Sequence, residues 1–256
     1  MDHIAWADHI ANWLSDRLNA ARAEGYVIGL SGGVDSATAA GLAVRAIGAE
    51  HVLGALLPCH SRPDDARLGH LVADTFGIAT RTIDLAPAYD ALIAALPPTD
   101  HPLAAPNAKP RLRMTALYYL AQANGYLVLG SGNRSELMVG YFTKYGDGGV
   151  DLLPLGDLYK TQVWELASVV GVPDEVVERT PSGGLWPGQT DEGELGITYQ
   201  ALDRVLKAIE AGETDCIDPE TLDKVRRMIR SAWHKRAMPP ICQFPFGDAE
   251  ESEDVR

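Results

Sequence analysis

The chain alternates between two hydrophobic periods. Residues 3–24 set Ile4, Ala7, Ile10, Trp13 or Leu14, Leu18 and Ala21 among polar groups at near-helical spacing, which predicts an amphipathic first helix. Residues 26–28 then form a short apolar run rich in β-formers. It meets the adjacent glycines Gly32 and Gly33, and the small residues 37–44 beyond them predict a helix. Residues 51–57 predict a second strand stopped by Pro58, 64–76 a helix, 79–84 a third strand and 86–96 another helix. Such alternation implies an α/β chain with a doubly wound parallel sheet and helices on both faces. Ligands in these sheets bind beyond the carboxyl ends of the strands, which is where the Gly-Gly turn falls.

Residues 97–110 are proline-rich and break the period, predicting a loop. The helical pattern returns from Arg111 through Arg113, Met114, Leu117, Tyr118 and Leu120, and 126–129 predicts a strand. The following Gly130-Ser131-Gly132 lacks the third glycine of a dinucleotide fingerprint. Residues 140–151 carry four glycines, three aromatics, one lysine and two aspartates without any period, a composition typical of functional loops. Residues 159–170 predict a helix with Lys160 in its first turn. A cation there opposes the helix dipole, so an anionic partner from elsewhere is expected. The Gly/Pro-rich stretch 180–195 reads as a loop able to act as a lid. Residues 197–209 and 222–233 predict two more helices, and the acidic tail 248–256 is expected to fray. No internal repeat is visible.

Composition narrows the function classes. With 256 residues, 46% hydrophobic and 22% charged, the chain suits one sizeable core, and a single domain over 1–256 is expected. No run approaches the ~20 apolar residues that span a bilayer. The start, Met1-Asp2-His3-Ile4, lacks the basic and apolar regions of a secretory signal, so the cytoplasm is the expected location. Cys59, Cys216 and Cys242 lie far apart and form no disulfide framework or zinc motif. A net charge of −13 speaks against a nucleic-acid partner, which would call for a basic stripe. The cations sit instead in small islands at Lys109-Pro-Arg111-Leu-Arg113, Lys144, Lys160 and His234-Lys235-Arg236, a scale suited to the phosphates of a small nucleotide.

The chemistry concentrates at Gly29-Leu30-Ser31-Gly32-Gly33-Val34-Asp35-Ser36. A strand turning into a helix across Gly-Gly offers bare N–H groups and the positive end of a helix dipole to phosphate. Ser31 and Ser36 add hydroxyls; on the plain structural alternative they are N-caps. Asp35 sets a carboxylate beside the anion, which makes sense if a divalent cation bridges the two. The turn is not a Walker A loop, because no Lys-Ser or Lys-Thr follows the glycines.

The S-G-G-x-D-S string resembles the pyrophosphate loop of the ATP pyrophosphatases, which cleave ATP between its α and β phosphates. Three blocks narrow the resemblance to the ammonia-dependent NAD synthetases: G-L-S-G-G-V-D-S at 29–36, N-R-S-E-L-M-V-G-Y-F-T-K-Y-G-D-G-G-V-D-L-L-P-L-G-D-L-Y-K at 133–160, and P-S-G-G-L-W-P-G-Q-T-D-E-G-E-L-G at 181–196. The K-P-R-L-R-M start at 109–114 and H-K-R at 234–236 also match. The resemblance implies a Rossmann-like fold of the adenine nucleotide alpha hydrolase type. It also implies the reaction of deamido-NAD, ATP and ammonia to NAD, AMP and pyrophosphate through an adenylate.

Carried over residue by residue, Gly29, Leu30, Ser31, Gly32, Gly33, Val34, Asp35 and Ser36 would hold the ATP phosphates, with Ser131, Lys160 and Ser182 as further ATP contacts. Asp35 and Glu136 would ligate Mg²⁺. Arg113, Lys144, Asp151, His234 and Lys235 would bind deamido-NAD, and Asp147 would hold ammonium or take its proton. In the family the dinucleotide site lies across a homodimer interface. Tyr118, Tyr119, Tyr141 and Phe142 suit such an interface and equally suit ordinary core. Two positions depart from the pattern: Gly184 stands where an aspartate is common, and Ser182 replaces a common threonine while keeping the hydroxyl. No glutaminase domain is expected. The alternatives are another ATP pyrophosphatase, either tRNA-modifying or an amidotransferase synthetase, and a non-catalytic adenine-nucleotide sensor.

Overall fold

A computed structural model describes residues 3–186 and 188–242. The expectation for the tail at 248–256 lies outside the described residues. The chain runs α1 (His3–Ala21), β1 (Gly25–Gly29), α2 (Val34–Ile47), β2 (Val52–Leu56), α3 (Pro63–Phe76), β3 (Ala79–Thr82), α4 (Ala86–Ala95), α5 (Ala108–Asn124) and β4 (Tyr126–Leu129). Helices α6 (Arg134–Val139), α7 (Lys160–Val170), α8 (Asp174–Val177), α9 (Asp191–Leu195), α10 (Tyr199–Ala211), α11 (Pro219–Ser231) and α12 (Trp233–Arg236) follow.

The strands form one parallel sheet in the order β3-β2-β1-β4. Alternation along β1 divides the core. Tyr26 and Ile28 face the cluster built by α1, α2 and α7, while Val27 joins Ala55, Ala121 and Val128 on the other face. Both faces of the strand are therefore covered, as a parallel sheet requires. The buried Tyr26 hydroxyl is satisfied by donating to the carbonyl of Leu14, 2.6 Å away. A third apolar cluster gathers α6, α10 and α11 around Tyr199, Leu202 and Leu206.

Helix α1 buries Ala7, Ala11, Leu14 and Leu18, one stripe at three- and four-residue steps, and leaves Ile4 exposed. Helix α2 is buried almost all round, which explains its run of small residues. A Cβ on Gly41 would come within 2.4 Å of Val170 and 2.7 Å of Phe76, so the bare backbone is what lets α3 and α7 close on it.

The structure differs from the sequence expectation at several points. Helix α5 starts at Ala108, not Arg111. Pro110 fits its first turn because amides there need no intrahelical partner. Helices α6 and α9 were not expected, and α9 takes up the second half of the stretch read as a lid loop. Neither Ser31 nor Ser36 caps α2, whose N-cap is Gly33 in an extended conformation.

Candidate active site

The chain leaves β1 for β2 and β3 on one side and reaches β4 on the other, so the crevice between the carboxyl ends of β1 and β4 is the switch point of the sheet. A cavity of about 560 Å³ opens there. Its lining draws on both strand-end turns, the 140–150 loop, the 180–189 segment and α12. The two Gly/Ser turns thus cup one space between them.

In the first turn, Leu30 prolongs the sheet by donating its N–H to the carbonyl of Ala55 at 2.9 Å. Gly32 then adopts φ +73°, the left-handed region that a residue with a Cβ resists. A Cβ at this position would also meet the carbonyl of Asp65 at 2.8 Å. The turn is held from within. Ser36 Oγ donates to the Gly33 carbonyl at 3.0 Å, Ser31 Oγ lies 3.0 Å from Ser36 Oγ, and Gly33 N–H donates to Ser31 Oγ at 3.3 Å. Two hydroxyls and the first amides of α2 therefore converge on the cavity floor, an arrangement suited to an anion.

Beside that floor lies a buried charge cluster. Lys160 is 1% exposed, and its ammonium donates to Asp35 Oδ2 and stands 3.6 Å from Glu136 Oε1. This supplies the anionic partner that its place at the start of α7 called for. Asp35 Oδ1 accepts from Asn133 Nδ2 at 2.9 Å. Asn133 also caps α6, accepting from the N–H of Glu136 at 3.0 Å, and this aims the Glu136 side chain at Asp35. Burial disfavours charge on Lys160, but Asp35 and Glu136 more than offset it and hold the ammonium above its ordinary value. Burial and then the Asp35 carboxylate push Glu136 up to about 8, partly opposed by Lys160.

Two carboxylates pressed together beside an anion-binding turn suit Mg²⁺, which typically takes one or two carboxylates together with phosphate oxygens. Among the described residues no group of three or more His, Cys, Asp or Glu side chains could hold a metal ion. A cation here would complete its shell from phosphate and water.

The remaining sequence-derived candidates divide. Ser131, Arg113, Lys144, Asp147, Ser182, His234 and Lys235 line the same cavity; Asp151 does not. Asp151 is exposed and accepts from the Tyr118 hydroxyl at 3.0 Å and the Val128 N–H at 2.8 Å. Arg113 donates to the Leu57 carbonyl at 3.1 Å and to Ser61 Oγ at 3.2 Å. Lys235 donates to the carbonyls of Gly140 and Phe142 at 2.6 and 2.7 Å, and Lys144 to that of His234, so α12 is stitched to the 140–144 turn. Asp147 Oδ1 accepts from the N–H of Thr143 at 2.9 Å. Solvent in the cavity reaches Asp147, yet protein encloses it closely enough to push its carboxyl above the usual range. Ser182 Oγ donates to the Gln189 carbonyl at 2.8 Å and accepts from Gly184 N–H at 3.2 Å, which organises the bend of that segment.

The sequence reading missed four groups. Asp191, 5% exposed, lies 3.0 Å from the Tyr141 hydroxyl and 3.1 Å from that of Tyr199, which is itself 3.2 Å from Glu136. Asp203 accepts from Ser135 Oγ and, at 2.9 Å, from Thr161 N–H, while Ser135 Oγ accepts from Lys160 N–H. Lys109 donates to the Leu185 carbonyl at 2.9 Å, tying the 180–189 segment to α5. Arg179 donates to the Gly32 carbonyl at 3.0 Å and pairs with Asp65. Only Lys109, within its basic island, carried a sequence signal.

Comparison with known proteins adds three kinds of likeness. The model of the NAD synthase family matches residues 6–239. An NH(3)-dependent NAD(+) synthetase from Carboxydothermus hydrogenoformans is 45% identical over 238 residues, 91% of this chain and 95% of its own. Among solved structures, an NMN synthetase from Francisella tularensis superposes with a TM-score of 0.88 at 36% identity, covering 95% of this chain and all of its own. An NH3-dependent NAD synthetase from Campylobacter jejuni, in complex with nitrate, gives a TM-score of 0.82 at 26% identity over 95% of this chain and all of its own.

Proposed function

The chain belongs to the NAD synthase family, and from that premise we propose how its residues carry out the reaction. The protein is an acid–ammonia ligase that makes NAD from deamido-NAD, ATP and ammonia. The carboxylate of deamido-NAD is a resonance-stabilised anion with no acceptable leaving group. Transfer of AMP converts one of its oxygens into a leaving phosphate, and ammonia then attacks the acyl carbon.

The turn at 29–36 holds the β and γ phosphates, with amides and the Ser31 and Ser36 hydroxyls as donors. Lys160 supplies a fixed positive charge where negative charge grows on the α-phosphorus and the departing pyrophosphate. Asp35 and Glu136 are the residues that would hold Mg²⁺, which when bound neutralises phosphate charge and orients the leaving group. Ser131 and Ser182 approach ATP from the second turn and the 180–189 segment, which acts as a lid. Arg113, Lys144, His234 and Lys235 receive deamido-NAD. Asp147, held above the usual carboxylate range by its enclosure, holds ammonium or takes its proton so that the lone pair is free. Asp151 lies outside the cavity, on the surface beside α5, and meets the dinucleotide only where a second copy completes the site. The protein is read as a homodimer and as cytoplasmic, and no helix among the described residues is long and apolar enough to cross a membrane.

One observation carries this reading. A buried ammonium between two carboxylates, set against a glycine turn at the sheet's switch point, is machinery for breaking a phosphoanhydride rather than for holding a nucleotide passively. Purified protein with ATP, Mg²⁺, deamido-NAD and ammonium is expected to release NAD and AMP in equal amounts. Glutamine in place of ammonium should give none. Because the Francisella neighbour is an NMN synthetase, nicotinate mononucleotide belongs in the assay as a competing acceptor. AMP release without either acceptor, or a requirement for RNA, would overturn the proposal.

A further inference from the structure

Arg179 is half-buried at the point where the chain leaves α8 for the 180–189 segment. It reaches across to the phosphate turn, donating from Nη1 to the carbonyl of Gly32 at 3.0 Å and lying 3.4 Å from that of Ser31. Its other nitrogen pairs with Asp65 in the first turn of α3, and both side chains are less than one-fifth exposed. Asp65 also accepts from the N–H of Arg62 at 3.1 Å, which anchors it to the start of α3. The same neighbours press on Gly32, where a Cβ would meet the Asp65 carbonyl at 2.8 Å, Leu68 at 2.8 Å and Arg179 Nη1 at 3.0 Å.

A trans peptide points its carbonyl and its N–H in opposite directions. With the carbonyls of Ser31 and Gly32 drawn to Arg179, the N–H groups of Gly32 and Gly33 are turned away from it, that of Gly33 toward the Ser31 hydroxyl at the cavity. Were either peptide to flip, a carbonyl oxygen would face the phosphates where a donor is needed.

We propose that Arg179, steadied by Asp65, is a positioning residue for ATP. It locks the peptides of the phosphate turn in their anion-binding orientation and joins that turn to the root of the lid. This rests on the reading of the 29–36 turn as the phosphate site. It assigns a task to a residue that touches the loop's carbonyls and need not touch substrate.

The test splits the two substrates. Arg179→Ala is expected to raise KM for ATP, and the inhibition constant for added pyrophosphate, by ~10-fold or more, the scale of losing hydrogen bonds from a charged donor. KM for deamido-NAD should stay within about twofold. Arg179→Lys, which keeps one cationic donor, should recover part of the loss. Asp65→Asn, which keeps an acceptor for the Arg62 amide, should shift the ATP values in the same direction but less; it also serves if Arg179→Ala does not fold. Unchanged ATP and pyrophosphate constants in folded Arg179→Ala or Asp65→Asn, or equal losses for both substrates, would overturn the proposal. Wild-type protein that is not inhibited by pyrophosphate at all would sink the phosphate-site reading itself, and this inference with it.

Discussion

Lys160 is both the most buried charge in the site and the one whose removal is hardest to absorb. At 1% exposure it faces Asp35 and Glu136, which are themselves about one-sixth exposed. Lys160→Met keeps the length and most of the volume but strands two carboxylates against each other. Breaking a buried pair from one side costs about 3–5 kcal/mol. Urea unfolding should register that loss, together with loss of NAD formation; a variant as stable as wild type would show the cluster to be better hydrated than its geometry implies. Asp35→Ala is the complementary case. Lys160 still has Glu136 at 3.6 Å and Asn133 loses one acceptor, so folding should survive. Turnover should fall by ~10²–10³ or more, the scale of removing one preorganised electrostatic contact. Undiminished NAD production would show the acid-pair assignment to be wrong. Asp35 and Lys160 were legible because their neighbours in sequence are unusual: a glycine pair before one, a misplaced cation in a helix start at the other. Arg179 was not, since its partners lie 114 to 148 residues away and Glu178-Arg179-Thr180 reads as ordinary surface.

What sets Lys160 and Glu136 in register is a junction between elements. Helices α6 and α7 begin side by side, and Asp203 of α10, 2% exposed, reaches into both starts through Ser135 and Thr161. A carboxylate at two helix N-termini is favoured by unpaired amides and by both dipoles. Asp203→Ala removes the acceptor and leaves buried donors unsatisfied, a loss of about 1–3 kcal/mol. We expect kcat to fall along with stability because the Lys160 backbone is held by the same hydroxyl, and Asp203→Asn should restore part of each. Calorimetry and steady-state kinetics on both variants check this; a stability loss with kcat intact would leave Asp203 a purely structural cap. Strand β4 and helix α3 were read from sequence to within a residue, because apolar runs and periods of that length are unambiguous. Helices of four to six residues, such as α6, α8 and α9, present too few turns to show a period. In α10 the apolar stripe was plain, but Asp203 looked like a polar-face residue until α6 and α7 were packed above it.

At the scale of the whole molecule, the site looks incomplete along one side. Helix α5 buries only Lys109, Pro110 and Ala121. Tyr119 on it is 74% exposed, and Asp151, expected at the dinucleotide, lies on the same side outside the cavity. Of the four aromatics read from sequence as suited to an interface, Tyr141 and Phe142 line the cavity and Tyr118 is partly buried, its hydroxyl bonded to Asp151. Tyr119 therefore carries the dimer expectation. An aromatic this exposed on a helix with so little of its own surface covered is the kind of anchor that dimer interfaces use. A second copy pairing about this helix would also bring Asp151 within reach of the adenylate half of the dinucleotide. Sedimentation of the wild type at micromolar concentration is expected to show a dimer, and Tyr119→Asp to shift it toward monomer. KM for deamido-NAD should rise with that dissociation while the KM for ATP, whose contacts lie within one protomer, moves little. A monomeric wild type with full activity would remove the need for a partner and leave the Asp151 carboxylate with the local role it already has, capping the Val128 amide at the end of β4.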